Sequence, residues 1–293
     1  LPVGGDVPTS RLLAFAAGTL VGGAALVAFV PHRTAAAPGG NPRSTTVQKV
    51  FPSAVRLQIA SAGEVVRSAS GVAFARDGDR TYVLTNAHVV EPGRGWKDPV
   101  DLRVLVSGRK APYSGRVVAR GRVPESDIAV VEVRGAELPV TPIAGDDGLE
   151  LGDDLVVIGA PFGKGLSVAA GIVSQVEYDF GENAAAPQVP KSLKTDAAIG
   201  YGSSGGGVFD VPGGRLVGLV EGYRTARVEF GKQSEAYAFD VPMPGETFVA
   251  PAAKLRRFLA ENGLAKLAPG PVSASAASAP RQDAVAVPAA SRM

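Results

Sequence analysis

From Val47 to about Pro244 the apolar residues fall in short runs of Val, Ile, Leu and Ala, broken by Gly, Pro and Asp. The spacing predicts strands over Ala54–Ile59, Gly71–Ala75, Tyr82–Leu84, Leu102–Val106 and Ile128–Val133. Further strands are expected over Leu155–Ile158, Gly171–Val176, Val208–Phe209, Leu216–Val220 and Ala236–Val241. Many short strands with turn residues between them point to an all-β barrel or sandwich. One stretch alone has helical spacing: Pro251–Asn262 carries Leu255, Phe258 and Leu259 on one face, with Pro at its start and Gly263 at its end. It is expected to pack on the β structure as a closing helix.

The two ends of the chain follow other patterns. Residues 1–11 are a short flank, and Leu12–Val30 then runs 19 residues without a charge. As a helix that run would span about 28 Å, close to the thickness of a bilayer core. It reads as a single membrane anchor. The rival is a cleaved signal peptide with Ala35-Ala36-Ala37 as the processing site, although the run exceeds the usual signal core of about 7–15 residues. Residues 31–46 are rich in Pro, Ala and Gly without periodicity, as in a flexible tether, so the folded domain is expected over 47–267. Residues 268–293 are an Ala/Pro/Ser-rich tail with the composition of a disordered segment. Arg11 precedes the apolar run while Arg33, Arg43 and Lys49 follow it, which by charge alone favours a cytoplasmic domain.

Composition removes several kinds of chemistry. With 30 basic and 28 acidic residues and no block of like charge, nothing supports a nucleic-acid surface. The absence of cysteine excludes disulfides, zinc-thiolate sites and a thiol nucleophile. The pairs Asp146-Asp147 and Asp153-Asp154 lie in Gly-containing turns and read as solvated loops, and Gly163-Lys164-Gly165 lacks a phosphate-loop pattern. No metal and no cofactor is expected.

What the chain does carry is an ordered set of three groups. There are two histidines, and His32 lies in the polar tether, so His88 in Thr85-Asn86-Ala87-His88 is the one candidate base. Asp127 opens the run Ile128–Val133, where its carboxylate can accept the Nδ1 proton of His88. Ser204 sits among Gly202, Gly205 and Gly206, whose missing side chains allow a tight turn and close approach of a carbonyl. In such a turn the N–H groups of Gly202 and Ser204 can converge on a developing oxyanion. Each feature alone has a commoner explanation: a structural histidine, a turn aspartate, a plain Gly-rich loop. The order His, Asp, Ser with glycines around the serine is that of a serine-protease triad. An α/β hydrolase would place its nucleophile before its histidine.

These stretches resemble the trypsin-fold serine proteases of the HtrA (Deg) type. The likeness covers about residues 47–247 and lies in Tyr82–Val90, Ser126–Val133, Gly152–Gly165, Val168–Ser174, Lys194–Asp210 and Ala236–Met243. It implies two six-stranded β-barrels with the site in the cleft between them, His88 and Asp127 from the first and Ser204 from the second. It also implies protein or peptide substrates, a homo-oligomer, and an envelope protein often held by one N-terminal span, with an extracytoplasmic domain engaged in quality control or regulated cleavage.

Some positions depart from that family. Its relatives often add a C-terminal PDZ domain, for which the tail is no substitute. Ser203 stands where the family usually has Asn, so no carboxylate there can pair with a freed N-terminus. Gly207 replaces a common Pro and is expected to loosen the strand after Ser204. By the resemblance Ala198 forms the base of the specificity pocket, implying small or medium aliphatic side chains at the cleaved bond. Glu221, Gly222 and Tyr223 should run beside the bound peptide. A second reading keeps the fold but not the turnover: a catalytically latent binding or scaffold protein.

Overall fold

The computed structural model describes residues 40–145, 149–179, 189–230 and 237–268. The proposed span at 12–30, most of the tether, the Asp146-Asp147 turn and the tail from residue 269 lie outside the described residues. Among the described residues no helix is long and apolar enough to cross a membrane.

Among the described residues twelve strands form two closed barrels. The first comprises β1 (Ala54–Ser61), β2 (Glu64–Asp77), β3 (Arg80–Thr85), β4 (Val100–Val106), β5 (Tyr113–Arg120) and β6 (Ala129–Arg134). Their order is β1-β2-β3-β6-β5-β4, closed by antiparallel pairing of β4 with β1 from Val55↔Val106 to Ser61↔Val100. The second comprises β7 (Asp154–Gly159), β8 (Ser167–Asp179), β9 (Val189–Thr195), β10 (Gly207–Asp210), β11 (Leu216–Phe230) and β12 (Tyr237–Pro251). It runs β10-β11-β12-β9-β8-β7, closed by β10 on β7 from Gly207↔Ile158 to Asp210↔Leu155.

Alternation divides the buried residues between two cores. Val55, Leu57 and Ile59 of β1, with Ala69 and Ala73 of β2, Val83 of β3 and Val131 and Val133 of β6, fill the first barrel. The intervening residues Val72 and Phe74, Tyr82 and Leu84, and Val130 face outward, yet they are buried as well. They join Leu155, Ile158, Phe209, Leu219 and Val220 of the second barrel in one larger core. Strands buried on both faces read as continuous apolar runs rather than alternating ones, which is why Tyr82–Leu84 and Ile128–Val131 stand out in the sequence. β5 and β9 were not among the expected strands. In β5 only Ala119 is buried, and β9 is written Val-Pro-Lys-Ser-Leu-Lys-Thr, so neither carries an apolar run.

The tether expected through residue 46 is shorter. Helix α1 (Pro42–Val50) begins on Asn41, whose side chain accepts the Arg43 amide, and Pro42 supplies the preset φ of a first helical turn. Its buried Thr46 and Val50 dock it on the domain, with Thr46 Oγ1 donating to the Val211 carbonyl at 2.5 Å. The closing helix α3 (Ala252–Glu261; α2 is the short turn Ala87–Val90) buries Leu255, Phe258 and Leu259 as its spacing requires. Arg256 ties it to the barrels by donating to the carbonyls of Ile143 and Ala144, each at 2.8 Å.

Candidate active site

The first-barrel half of the site is built where β3 ends. Asn86 precedes α2, and His88 lies within that single turn. Opposite, Asp127 sits just before β6, where its carboxylate Oδ2 meets His88 Nδ1 at 2.6 Å while Oδ1 accepts the His88 backbone N–H at 2.9 Å. Asn86 Nδ2 donates to the Asp127 carbonyl at 2.9 Å, clasping the same two segments from the other end. Burial acts to raise the Asp127 pKa, but the hydrogen bonds from the His88 ring and from the backbone of His88 and Ala87, with the charge of His88, outweigh it and hold the carboxyl below its ordinary value. An ionised carboxylate on Nδ1 fixes the ring tautomer and leaves Nε2 unprotonated, able to take a proton.

The second-barrel half is the turn Gly200–Gly206. Its backbone needs a left-handed conformation at Gly202 (φ +90°), where a Cβ would lie 2.7 Å from the Ala160 carbonyl oxygen. Gly205 (φ +78°) leaves still less room: a Cβ would meet Ser70 O and Thr85 Oγ1, each at 2.4 Å. The turn therefore rests directly on the first barrel, three residues from His88. Ser203 is buried, donating its amide to the Gly200 carbonyl at 3.0 Å and accepting the Gly200 amide on Oγ at 3.3 Å. Ser203 thus braces the turn internally.

Two contacts orient the Gly202 backbone. The Tyr201 carbonyl accepts from Phe162 N at 2.5 Å, and the Gly202 carbonyl accepts from Ser70 Oγ at 2.7 Å. In a trans peptide N–H and C=O point opposite ways, so the Gly202 N–H faces away from the 161–163 loop. Neither it nor the Ser204 N–H donates to any described residue. Phe162 itself holds a left-handed backbone (φ 56°), uncommon for a residue with a side chain and typical of functional loops. No hydrogen bond joins Ser204 Oγ to the His88 ring among the described residues.

Ser70 of β2 was not among the expected site residues. Besides holding Gly202, its Oγ accepts the Ala160 amide at 2.8 Å, its own amide donates to the Ser204 carbonyl at 2.9 Å, and its carbonyl accepts from Thr85 Oγ1 at 2.8 Å. A serine within a strand carries no local signal of such a role; only the docking of the two barrels creates it.

Beside the turn lies a cavity of about 420 Å³ whose wall includes Ala198, Ile199, Tyr201, Phe162, Tyr223 and Pro242. Of the four expected pocket residues, Ala198 and Tyr223 line it. Gly222 pairs with Phe248 of β12, and Glu221 turns aside to an ion pair with Lys254 of α3 at 2.7 Å. The ring of Tyr223 meets that of Tyr201 edge-on at 5.7 Å. Among the described residues the buried Tyr223 hydroxyl has no hydrogen-bond partner; its burial, then the adjacent Tyr201, pushes its pKa up to about 12. Gly207 does not loosen its strand: it pairs with Ile158 on one side and Leu219 on the other, and a Cβ there would strike the Phe209 ring at 2.4 Å. Among the described residues no three His, Cys, Asp or Glu side chains converge as a metal-binding set.

This arrangement can be set beside known proteins. Residues 69–219, just over half of the 293, match the trypsin-like peptidase domain family. The periplasmic serine endoprotease DegP of Escherichia coli K12 is 37% identical over 145 residues, 49% of this chain and 28% of that protein. A serine protease HtrA-like protein of Staphylococcus epidermidis is 35% identical over 160 residues, 52% of this chain and 26% of that protein. The matched stretch is thus little more than a quarter of those relatives' length. A crystal structure of the serine endoprotease from Yersinia pestis shares the fold, with a TM-score of 0.56 and 24% identity over 78% of this chain and 68% of that one. The chain belongs to the trypsin-like peptidase domain family, and within that domain it is similar to serine proteases of the HtrA and DegP type.

Proposed function

We propose that this protein is a serine endopeptidase in which His88, Asp127 and Ser204 act as a triad. The observation that carries the reading is the pair of His88–Asp127 contacts, at 2.6 and 2.9 Å, set against a turn whose Gly202 and Ser204 amides have no acceptor among the described residues. Ser204 Oγ attacks the substrate carbonyl carbon while His88 Nε2 takes its proton. Asp127 stabilises the imidazolium and keeps its own proton off. The Gly202 and Ser204 N–H groups receive the carbonyl oxygen as it becomes an oxyanion, each such donor being worth about 2.7–4 kcal/mol. His88 then passes the proton to the leaving amine, the C–N bond breaks, and Ser204 holds the acyl group as an ester. Water, deprotonated by His88, attacks that ester and releases the acid and Ser204.

The cavity wall of Ala198, Ile199, Phe162 and Tyr223 carries no charge, which favours aliphatic side chains at the cleaved bond. Relatives named as periplasmic endoproteases favour protein substrates and an extracytoplasmic domain, with residues 12–30 as its membrane tether and quality control or regulated cleavage as its task. Homo-oligomerisation belongs to the same reading.

The absence of a hydrogen bond between Ser204 and His88 speaks for the second reading, a latent protease-fold scaffold. Fluorophosphonate labelling of the full chain decides between them. Labelling at Ser204 that disappears in Ser204→Ala, with unfolding temperature unchanged, is the expected result. A folded chain that resists the reagent in all conditions refutes the endopeptidase reading.

A further inference from the structure

Past the cleft, β11 and β12 leave the barrel as a two-stranded ribbon, paired from Thr225↔Pro242 to Phe230↔Tyr237. Directly opposite residues of an antiparallel pair share a face, and faces alternate along each strand. One face therefore carries Ala226, Val228, Phe230, Phe239 and Val241; the other carries Thr225, Arg227, Glu229 and Asp240. The stacked rings of Phe230 and Phe239, with centroids 5.4 Å apart, agree with that assignment. The apolar face is uncovered: Phe230 is 56%, Phe239 52% and Val241 36% exposed. A two-stranded ribbon with one apolar face lacks the third strand that would stabilise it.

Both outer edges of the ribbon are unpaired among the described residues, since β9 meets β12 only at Thr247–Val249, and it is the position of the β11 edge, next to the cleft, that says what would supply that strand. Val220 exchanges hydrogen bonds with the turn beside Ser204, donating to the Gly206 carbonyl and accepting from the Gly205 amide, both at 2.9 Å. From Glu221 onward nothing among the described residues pairs with that edge of β11. A polypeptide lying along the cleft beyond Val220 is thus led onto the ribbon. The apolar face begins about 20 Å along, at Ala226, and reaches Phe230 at about 33 Å. Its extent, about 15 by 10 Å, is far below the roughly 800 Å² per partner of a stable dimer interface, which speaks against a second copy as the occupant.

We propose that the β11 edge and the apolar face of the ribbon form an accessory site for an unfolded, apolar-rich segment of the substrate, added as a third strand six to ten residues away from the scissile bond. This rests on the endopeptidase reading for the word substrate, but the binding itself does not need turnover. Backbone pairing supplies affinity without demanding a sequence, and the apolar face selects segments that a folded protein would bury. Short peptides end before the ribbon and should not sense it.

The test uses the full chain carrying Ser204→Ala and a fluorescein-labelled 20-residue peptide with an alternating apolar flank, read by anisotropy. Phe230→Ser with Phe239→Ser should weaken binding by about tenfold or more. N-methylation of alternate amides in the flank should do the same to the unsubstituted ribbon, which guards against a misfolded variant. In the Ser204 form, kcat/KM for casein should fall to a similar extent through KM, while that for a tetrapeptide anilide is unchanged. Equal loss on both substrates, or no loss of binding, overturns the proposal. So does loss of binding to anionic phospholipid vesicles, or a changed sedimentation coefficient, with peptide binding intact. Failure of Ser204 to react with a fluorophosphonate would refute the endopeptidase reading alone, because anisotropy still reads the ribbon.

Discussion

Replacing Ser70 by alanine removes a hydroxyl that no solvent reaches and that joins the two barrels at the nucleophile turn. The Ala160 amide, itself fully buried, loses its acceptor at 2.8 Å, and the Gly202 carbonyl loses its donor at 2.7 Å. An orphaned buried donor costs about 1–3 kcal/mol and a lost net hydrogen bond about 0.5–1.5, so the domain should lose about 3 kcal/mol. For a domain of this size that lowers the melting temperature by roughly 6–12 °C. The consequence for catalysis is separate. Gly202 is held by the peptide on each side, through Phe162 and through Ser70, and freeing one side lets its N–H leave the oxyanion position. The donor's whole value sets the ceiling, so kcat should fall more than about tenfold and by no more than about 10³-fold, with KM little changed. Ser53→Ala is the control: Ser53 is buried and bonds Val50 O at 2.7 Å and Thr141 Oγ1 at 2.8 Å, neither of them part of the turn. It should cost similar stability and leave kcat within about twofold. Steady-state kinetics on a short peptide and thermal unfolding of both variants decide the matter. If Ser70→Ala lowers kcat no more than Ser53→Ala does, the positioning argument fails.

Asp127→Asn should lower kcat by about 10⁴-fold by releasing the His88 tautomer. Because the folded-state pKa of Asp127 lies below its unfolded value, its stabilisation is full above about pH 5 and is lost as pH falls through the folded pKa. Urea unfolding should therefore show wild type ahead of Asp127→Asn at pH 6 and the gap narrowing toward pH 3; a gap indifferent to pH contradicts the assignment. Gly205→Ala places a methyl 2.4 Å from Ser70 O and Thr85 Oγ1 at a left-handed backbone, and should leave little folded protein or labelling. Retained fluorophosphonate reactivity would mean the turn does not sit as described. Ala198→Asp puts a carboxylate in the uncharged cavity, so peptides with Lys or Arg at the cleaved bond should gain in kcat/KM relative to Val. An unchanged ranking would show that Ala198 does not face the bound side chain.

The linear order of residues already carries the all-β class and the closing helix, and it singles out His88, Asp127 and Ser204 as the candidate groups. These are local properties: Tyr82–Leu84 and Ile128–Val131 are apolar because both faces of their strands are buried, and the glycines around Ser204 are needed by the turn itself. β5 stayed illegible because only Ala119 of it is buried, and β9 because its buried Leu193 and Thr195 are too few to set up a readable alternation. The helix over Pro42–Val50 was hidden in a Pro-rich stretch, since Pro at the first turn starts a helix as readily as it marks a linker. Glu221 was expected along the peptide path, but α3 brings Lys254 to it, a meeting of residues 33 positions apart that no local pattern encodes. The same holds for Ser70, 132 residues from Gly202, and for the ribbon whose apolar face alternates in register only once β11 and β12 are paired. Periodicity and turn chemistry act over a few residues and are written in the sequence; the contacts that position the Gly200–Gly206 turn depend on how two closed barrels dock, and only the tertiary structure decides those.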